Sequence, residues 1–149
     1  MTIVEAELDI AAPRERVFAL LLDPRRLDEW VTASHGVSNV PDELRAGSEF
    51  RQRLRLGGAS FDVTWTVVEL KRPRLAIWAG GGPAGSRAGV RYELGEQESG
   101  TRFRYRNEYH LPGGRLGDFA GRVGSTPARR AMRSSLAKLK NLLESESHA

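Results

Sequence analysis

Four polar residues sit on the inward phases of otherwise apolar strands, and they offer most of the chemistry in this sequence: Gln52, Tyr105, Asn107 and Tyr109. The stretch Thr101 to Tyr109, TRFRYRNEY, alternates strictly. Phe103, Tyr105, Asn107 and Tyr109 therefore share one strand face, with Arg102, Arg104, Arg106 and Glu108 on the other. The charged face meets water. The opposite face joins aromatic area to two phenol hydroxyls and an amide, which a sealed core has to satisfy and which a cavity uses to orient a guest. Either these groups satisfy one another and buried water, or at least one contacts a ligand; ligand contact is the expectation.

Groups suited to proton transfer are few. His110 falls on the outer phase of its strand, and His35 lies in the loop after Trp30, within reach of a cavity mouth; both read as solvent-exposed side chains. Glu69 ends an inward phase, where strand ends are commonly exposed. No residue is assigned a catalytic role. The chain has no cysteine, which excludes disulfides, zinc thiolates and thiol nucleophiles, and no His, Asp or Glu spacing suits a metal. No cofactor is expected. The run Gly80 to Gly85 is not a phosphate cradle, because a strand follows it where a helix would be needed; it reads as a flexible loop at the rim.

Arg51, Arg53 and Arg55 on one strand and Arg102, Arg104 and Arg106 on another make a basic outer face. No aromatic residue shares that face for base stacking, and Asp62, Glu93 and Glu108 offer cross-strand partners, so nucleic-acid binding is not expected. The net charge of +4 says nothing of fold.

The elements that must place these residues follow from periodicity. Ile3 to Ile10 alternates as a strand, and Ala11-Ala12-Pro13 ends it. Pro13 to Leu22 reads as a helix with Val17, Phe18 and Leu21 inward; Asp23-Pro24 then caps and opens a short second helix ending near Trp30. Val37 to Val40, Glu49 to Leu56, Ser60 to Leu70, Arg74 to Ala79, Gly89 to Leu94 and Thr101 to Tyr109 read as strands of an antiparallel meander, with a tight hairpin at Gly57-Gly58. After Pro112-Gly113-Gly114 the pattern is helical. Leu116, Phe119, Ala120 and Val123 form one stripe, and Ala131, Leu136, Leu139, Leu142 and Leu143 resume it beyond Pro127, which kinks or restarts the helix with Thr126 as cap.

That order of elements is the helix-grip architecture. The segment IAAPRERVFALLLDPRRLDEW (Ile10 to Trp30) resembles the opening of the polyketide cyclase/dehydrase and lipid-transport family, within the START-like (SRPBCC) superfamily. GTRFRYRNEYHLPGG (Gly100 to Gly114) is similar to its last strand and exit turn, and RRAMRSSLAKLKNLLE (Arg129 to Glu144) to its C-terminal helix. The resemblance implies an α+β fold in which a curved antiparallel sheet of about seven strands wraps around the long C-terminal helix and encloses a cavity. The inward strand phases then supply the expected lining: Phe50, Gln52, Leu54, Phe61, Val63, Trp65, Tyr92, Phe103, Tyr105, Asn107 and Tyr109, with Trp30, Phe119 and Val123 covering it. The facing of Trp78 stays open, because Leu75 and Ile77 compete for the same side.

The 149 residues fit one domain, and with no apolar run long enough for a membrane span and an N-terminus that begins a strand, a cytoplasmic protein is expected. The leading expectation is binding of a small hydrophobic or aromatic molecule, such as a lipid or polyketide, by a monomer or homodimer. Relatives that close polyketide rings use tyrosine and arginine, so a cofactor-independent cyclase, aromatase or dehydratase using the same pocket is the alternative. A protein-interaction domain is a third.

Overall fold

The computed structural model describes residues 2–56, 58–110 and 125–146. Strand β1 (Thr2–Ile10) leads into helix α1 (Arg14–Leu21), a 3-10 turn (Pro24–Arg26) and the single turn α2 (Leu27–Trp30). Strands β2 (Ser34–Ser38), β3 (Glu49–Leu56), β4 (Ala59–Lys71), β5 (Leu75–Gly81), β6 (Arg87–Gln97) and β7 (Gly100–His110) follow, then helix α3 (Ser125–Glu146). The strands form one antiparallel sheet in the order β1-β7-β6-β5-β4-β3-β2, so β1 and β2, consecutive in the chain, lie at opposite edges. Helix α3 packs against β1, β3 and α2, which is the helix-grip arrangement.

Local chemistry explains the short helices. The Asp23 carboxylate accepts from Arg25 N at 3.1 Å and Pro24 takes the first position, where its missing N–H is no loss. Pro13 stands one place earlier than expected, as the N-cap of α1, and Val17, Phe18, Leu20 and Leu21 are buried. Pro127 lies in the first turn of the 22-residue α3, where no backbone hydrogen bond is lost, so no kink results within the described helix. The expected stripe from Leu116 to Val123 lies outside the described residues, as do Gly57 and His148.

β6 runs from Arg87 to Gln97, longer at both ends than the Gly89 to Leu94 expected, and three other strands depart from the sequence reading for reasons their neighbours supply. β2 starts at Ser34 rather than Val37, because the Asp28 carboxylate anchors the chain there: Ser34 Oγ donates to it at 2.5 Å and Gly36 N at 3.0 Å. β5 runs on through Gly80 and Gly81 into the expected loop. A Cβ at Gly80 would stand 2.8 Å from the Trp65 ring and 2.5 Å from Val63, so this glycine makes room for a neighbouring indole rather than for motion. The connection that remains is a closed turn, with Gly82 N donating to Ser86 O at 2.9 Å. In β4 a bulge inserts Val68 between the pairs Val67↔Trp78 and Glu69↔Ile77. Beyond it the phases exchange: Glu69 points outward to Lys71 at 3.1 Å, and Val68 is 56% exposed.

The inner face of the sheet is aromatic. Trp78, whose facing was open, is buried with Ala76, while Leu75 and Ile77 are half-buried on the other face. Its ring meets Phe50, Trp65 and Tyr92 edge-on with centroids 5.2, 6.1 and 5.4 Å away. Outside, Arg53 pairs across strands with Asp62 at 3.6 Å as expected, whereas Glu108 pairs along its own strand with Arg106 at 2.9 Å, Glu93 pairs along its own strand with Arg91, and Arg102 and Arg104 pair with Glu7 of β1, a partner the sequence reading did not name. The Arg102 hydrogen bond holds the Glu7 carboxyl below its ordinary value.

Candidate functional site

Between the inner sheet face and the first three turns of α3 lies a cavity of about 40 Å³. Alternation brings Gln52, Leu54, Trp65, Tyr92, Tyr105, Asn107 and Tyr109 to its wall. Leu27, Val31 and Ala33 close one side, and Ala128, Ala131, Met132 and Ser135, spaced as one helical stripe, form the roof.

The polar residues divide into two sets. Trp65 Nε1 donates to Gln52 Oε1 at 2.8 Å, Gln52 Nε2 donates to Ser34 Oγ at 2.9 Å, and Ser34 passes the chain to Asp28. Both ends of the Gln52 amide are thereby engaged, and the chain ties α2 to β2, β3 and β4. The second set runs along β6 and β7. Asn107 Nδ2 donates to the Tyr105 hydroxyl at 3.2 Å and to the Tyr109 hydroxyl at 3.4 Å, and the hydroxyls of Tyr92 and Tyr105 are bonded to one another. Tyr92 and Tyr105 are buried, Asn107 and Tyr109 half-buried.

Burial raises all three phenols, because a phenolate would lose its hydration with no cation to replace it. Tyr105 is pushed up to about 12, and Tyr92 and Tyr109 also rise, by burial first and by the neighbouring Tyr105 second. At neutral pH the cluster is a row of neutral O–H groups. It can donate to an oxygen of a guest, but it cannot act as a base. The described wall carries no carboxylate, imidazole or amine. His35 and His110 are both exposed on the outer phase, and among the described residues no three His, Asp or Glu groups converge as metal ligands.

Five expected lining residues are elsewhere. Trp30, Phe50, Val63 and Phe103 are buried in the packed core behind the wall; Trp30 touches it from that side, its ring 6.1 Å from Tyr92 and 5.9 Å from Tyr105. Phe61 is half-buried opposite Leu54 toward the β3–β4 hairpin. Inward phase selects core and wall alike, and only the opposing residues decide which borders a void. Phe119 and Val123 lie outside the described residues. Sequence reasoning missed the roof, although Ala128, Ala131, Met132 and Ser135 carry a legible signal: small or flexible side chains at helical spacing.

A latch holds the roof to the turn that follows α2. Thr32 N donates to Ser135 Oγ at 2.9 Å, and Thr32 Oγ1 to Ser134 Oγ at 2.8 Å. Arg26 bridges Glu29 at 2.8 Å and Glu146 at 2.6 Å toward the far end of α3.

Comparison with known proteins places these features in company. A family model described as polyketide cyclase/dehydrase and lipid transport matches residues 1–144. An uncharacterized protein of Mycobacterium tuberculosis is 35% identical over 79 residues, 51% of this chain and 35% of its own length. The chain thus matches about a third of the length of that relative. Among solved structures, a protein of Chromobacterium violaceum superposes with a TM-score of 0.72 at 16% identity, covering 97% of this chain and 99% of its own. DynU16, from the dynemicin biosynthetic locus, gives a TM-score of 0.66 at 17% identity, covering 97% of this chain and 48% of its own. At these identities the likeness is one of fold. Among the described residues no helix is long and apolar enough to cross a membrane.

Proposed function

Because the chain belongs to the polyketide cyclase/dehydrase and lipid transport family, we propose that its cavity binds a small hydrophobic or aromatic molecule between the sheet and α3. One observation carries this reading: an aromatic and aliphatic wall is interrupted by a clustered set of neutral hydroxyls and an amide, the composition of a site that gains affinity from burial and orientation from a few polar groups. Leu54, Trp65, Tyr92, Tyr105, Asn107 and Tyr109 are the contacts, and Gln52 holds the wall in shape. At about 40 Å³ the cavity has room for roughly three waters at ~10–15 Å³ each, so a ring enters only as Met132 and the α3 side yield. Native mass spectrometry of the purified chain tests the proposal. A co-purified small molecule, lost when Ala131→Phe fills the roof in a protein that still folds, is the expected outcome. An apo chain on which naphthalene and toluene leave tryptophan emission unchanged would sink it.

The adjacent phenols favour a second reading. Neutral O–H groups aimed at a carbonyl oxygen stabilise charge as it develops there, as a ring-closing or dehydrating enzyme requires. The described wall supplies no base, so such an enzyme would act through polarisation and folding of its substrate. Turnover of an aromatic polyketone that falls in Tyr105→Phe would establish it; binding without turnover would leave the first reading alone.

A further inference from the structure

Two polar atoms on residues of the cavity wall have no partner among the described residues: Nε1 of Trp78, a donor, and Oδ1 of Asn107, an acceptor. Buried polar groups of native proteins nearly always find partners, so each asks for an explanation. Trp65, on the same wall, shows the ordinary solution, its Nε1 donating to Gln52. Trp78 is only 2% exposed and is gripped by three aromatic rings, yet nothing accepts from it.

The sheet register relates the two atoms. Trp78 pairs with Val90 and Val90 with Asn107, so the three stand in one row across β5, β6 and β7. At about 4.8 Å per strand the outer two backbones are about 10 Å apart, with the apolar Val90 side chain between them. A single flat ring lying over Val90 spans the gap between the two side chains. An ion placed there would shed its hydration with no opposite charge on the described wall to receive it.

Building on the reading of the cavity as a ligand site, we propose that its guest is an uncharged oxygenated ring compound that offers an acceptor oxygen to the Trp78 N–H and a hydroxyl to Asn107 Oδ1. Hydroxylated aryl ketones and esters have this chemistry; molecules bound through a carboxylate, phosphate or amine do not.

Four probes and the full chain test it: methyl 4-hydroxybenzoate, methyl benzoate, 4-hydroxybenzoate and toluene. The three tryptophans give three indole N–H resonances in the 15N-labelled protein, and Trp78→Phe identifies the one that matters. Both esters are expected to shift that resonance downfield, toluene to bind without doing so, and the free carboxylate to bind at least tenfold more weakly than its methyl ester. Asn107→Leu should abolish the advantage of the hydroxylated ester over methyl benzoate. An ester that binds with the Trp78 resonance unmoved, or a carboxylate that binds as well as its ester, overturns the proposal while leaving the cavity a ligand site. If no probe binds, toluene included, the ligand-site reading falls and the proposal with it.

Discussion

Every tyrosine in this chain belongs to the cluster on β6 and β7, which gives the site its own optical signature. Burial raises the phenol of Tyr105 to about 12, and those of Tyr92 and Tyr109 rise with it. A titration followed by tyrosinate absorbance should therefore show almost no ionisation at pH 10, where an ordinary phenol is half ionised. The linkage has a definite sign. Below pH ~10 folded and unfolded chains both keep their phenol protons; above it the unfolded chain loses them first, so stability falls as pH rises and the loss for Tyr105 is complete near 12. That loss is about 3 kcal/mol for a shift of two pH units, and Tyr105→Phe should flatten the alkaline limb of the unfolding free energy by a comparable amount. A normal titration near pH 10 would mean that water reaches the phenols freely. At this scale the sequence was partly legible. Alternation identifies Tyr105, Asn107 and Tyr109 as inward, but it cannot tell that Gln52, equally inward, has both ends of its amide engaged by Trp65 and Ser34. Those partners arrive from other strands.

Elements held their boundaries best where a local signal set them. The Asp23-Pro24 start was readable because the cap and the proline act on their own backbone. Gly80 was not, since its reason is a ring on the next strand: Trp65 lies over it. Gly80→Ala should cost about 1–3 kcal/mol through overpacking, measured by urea unfolding, and should alter Trp65 emission as the ring is displaced. Unchanged stability would show that the strands part easily at that end. The chain from Asp28 through Ser34 and Gln52 to Trp65 gives a matching forecast for the other edge. Ser34→Ala strands the Gln52 amide and should cost about 1–3 kcal/mol, whereas a surface substitution at the exposed His35 beside it should cost little.

For the whole molecule, alternation reads as an antiparallel meander followed by a long helix, and the family resemblance implies that the sheet wraps on that helix, each strand turning one face to the same core. Which inward residues border empty space was not specified, since that depends on the small side chains of α3 that meet them across the interior. Helix α3 separates two roles along its length: Ala128 to Ser135 roof the cavity, while Leu139 and Leu143 are buried beyond it. Leu139→Ala should therefore lower stability by about 2–5 kcal/mol yet leave the affinity for toluene within about twofold, a contrast that urea unfolding and a binding titration together would reveal. If affinity fell in step with stability, the two halves of the helix would not be independent. The bulge at Val68 has a different kind of consequence, for how this chain can change its length. Losing that one residue would leave Glu69 opposite Ile77 and Leu70 opposite Ala76, so strict pairing returns and every side chain after it in β4 keeps its face. A one-codon deletion at Val68 is thus absorbed by the ladder, whereas one inside the strictly paired run from Ala59 to Val67 exchanges the faces of the residues on one side of it.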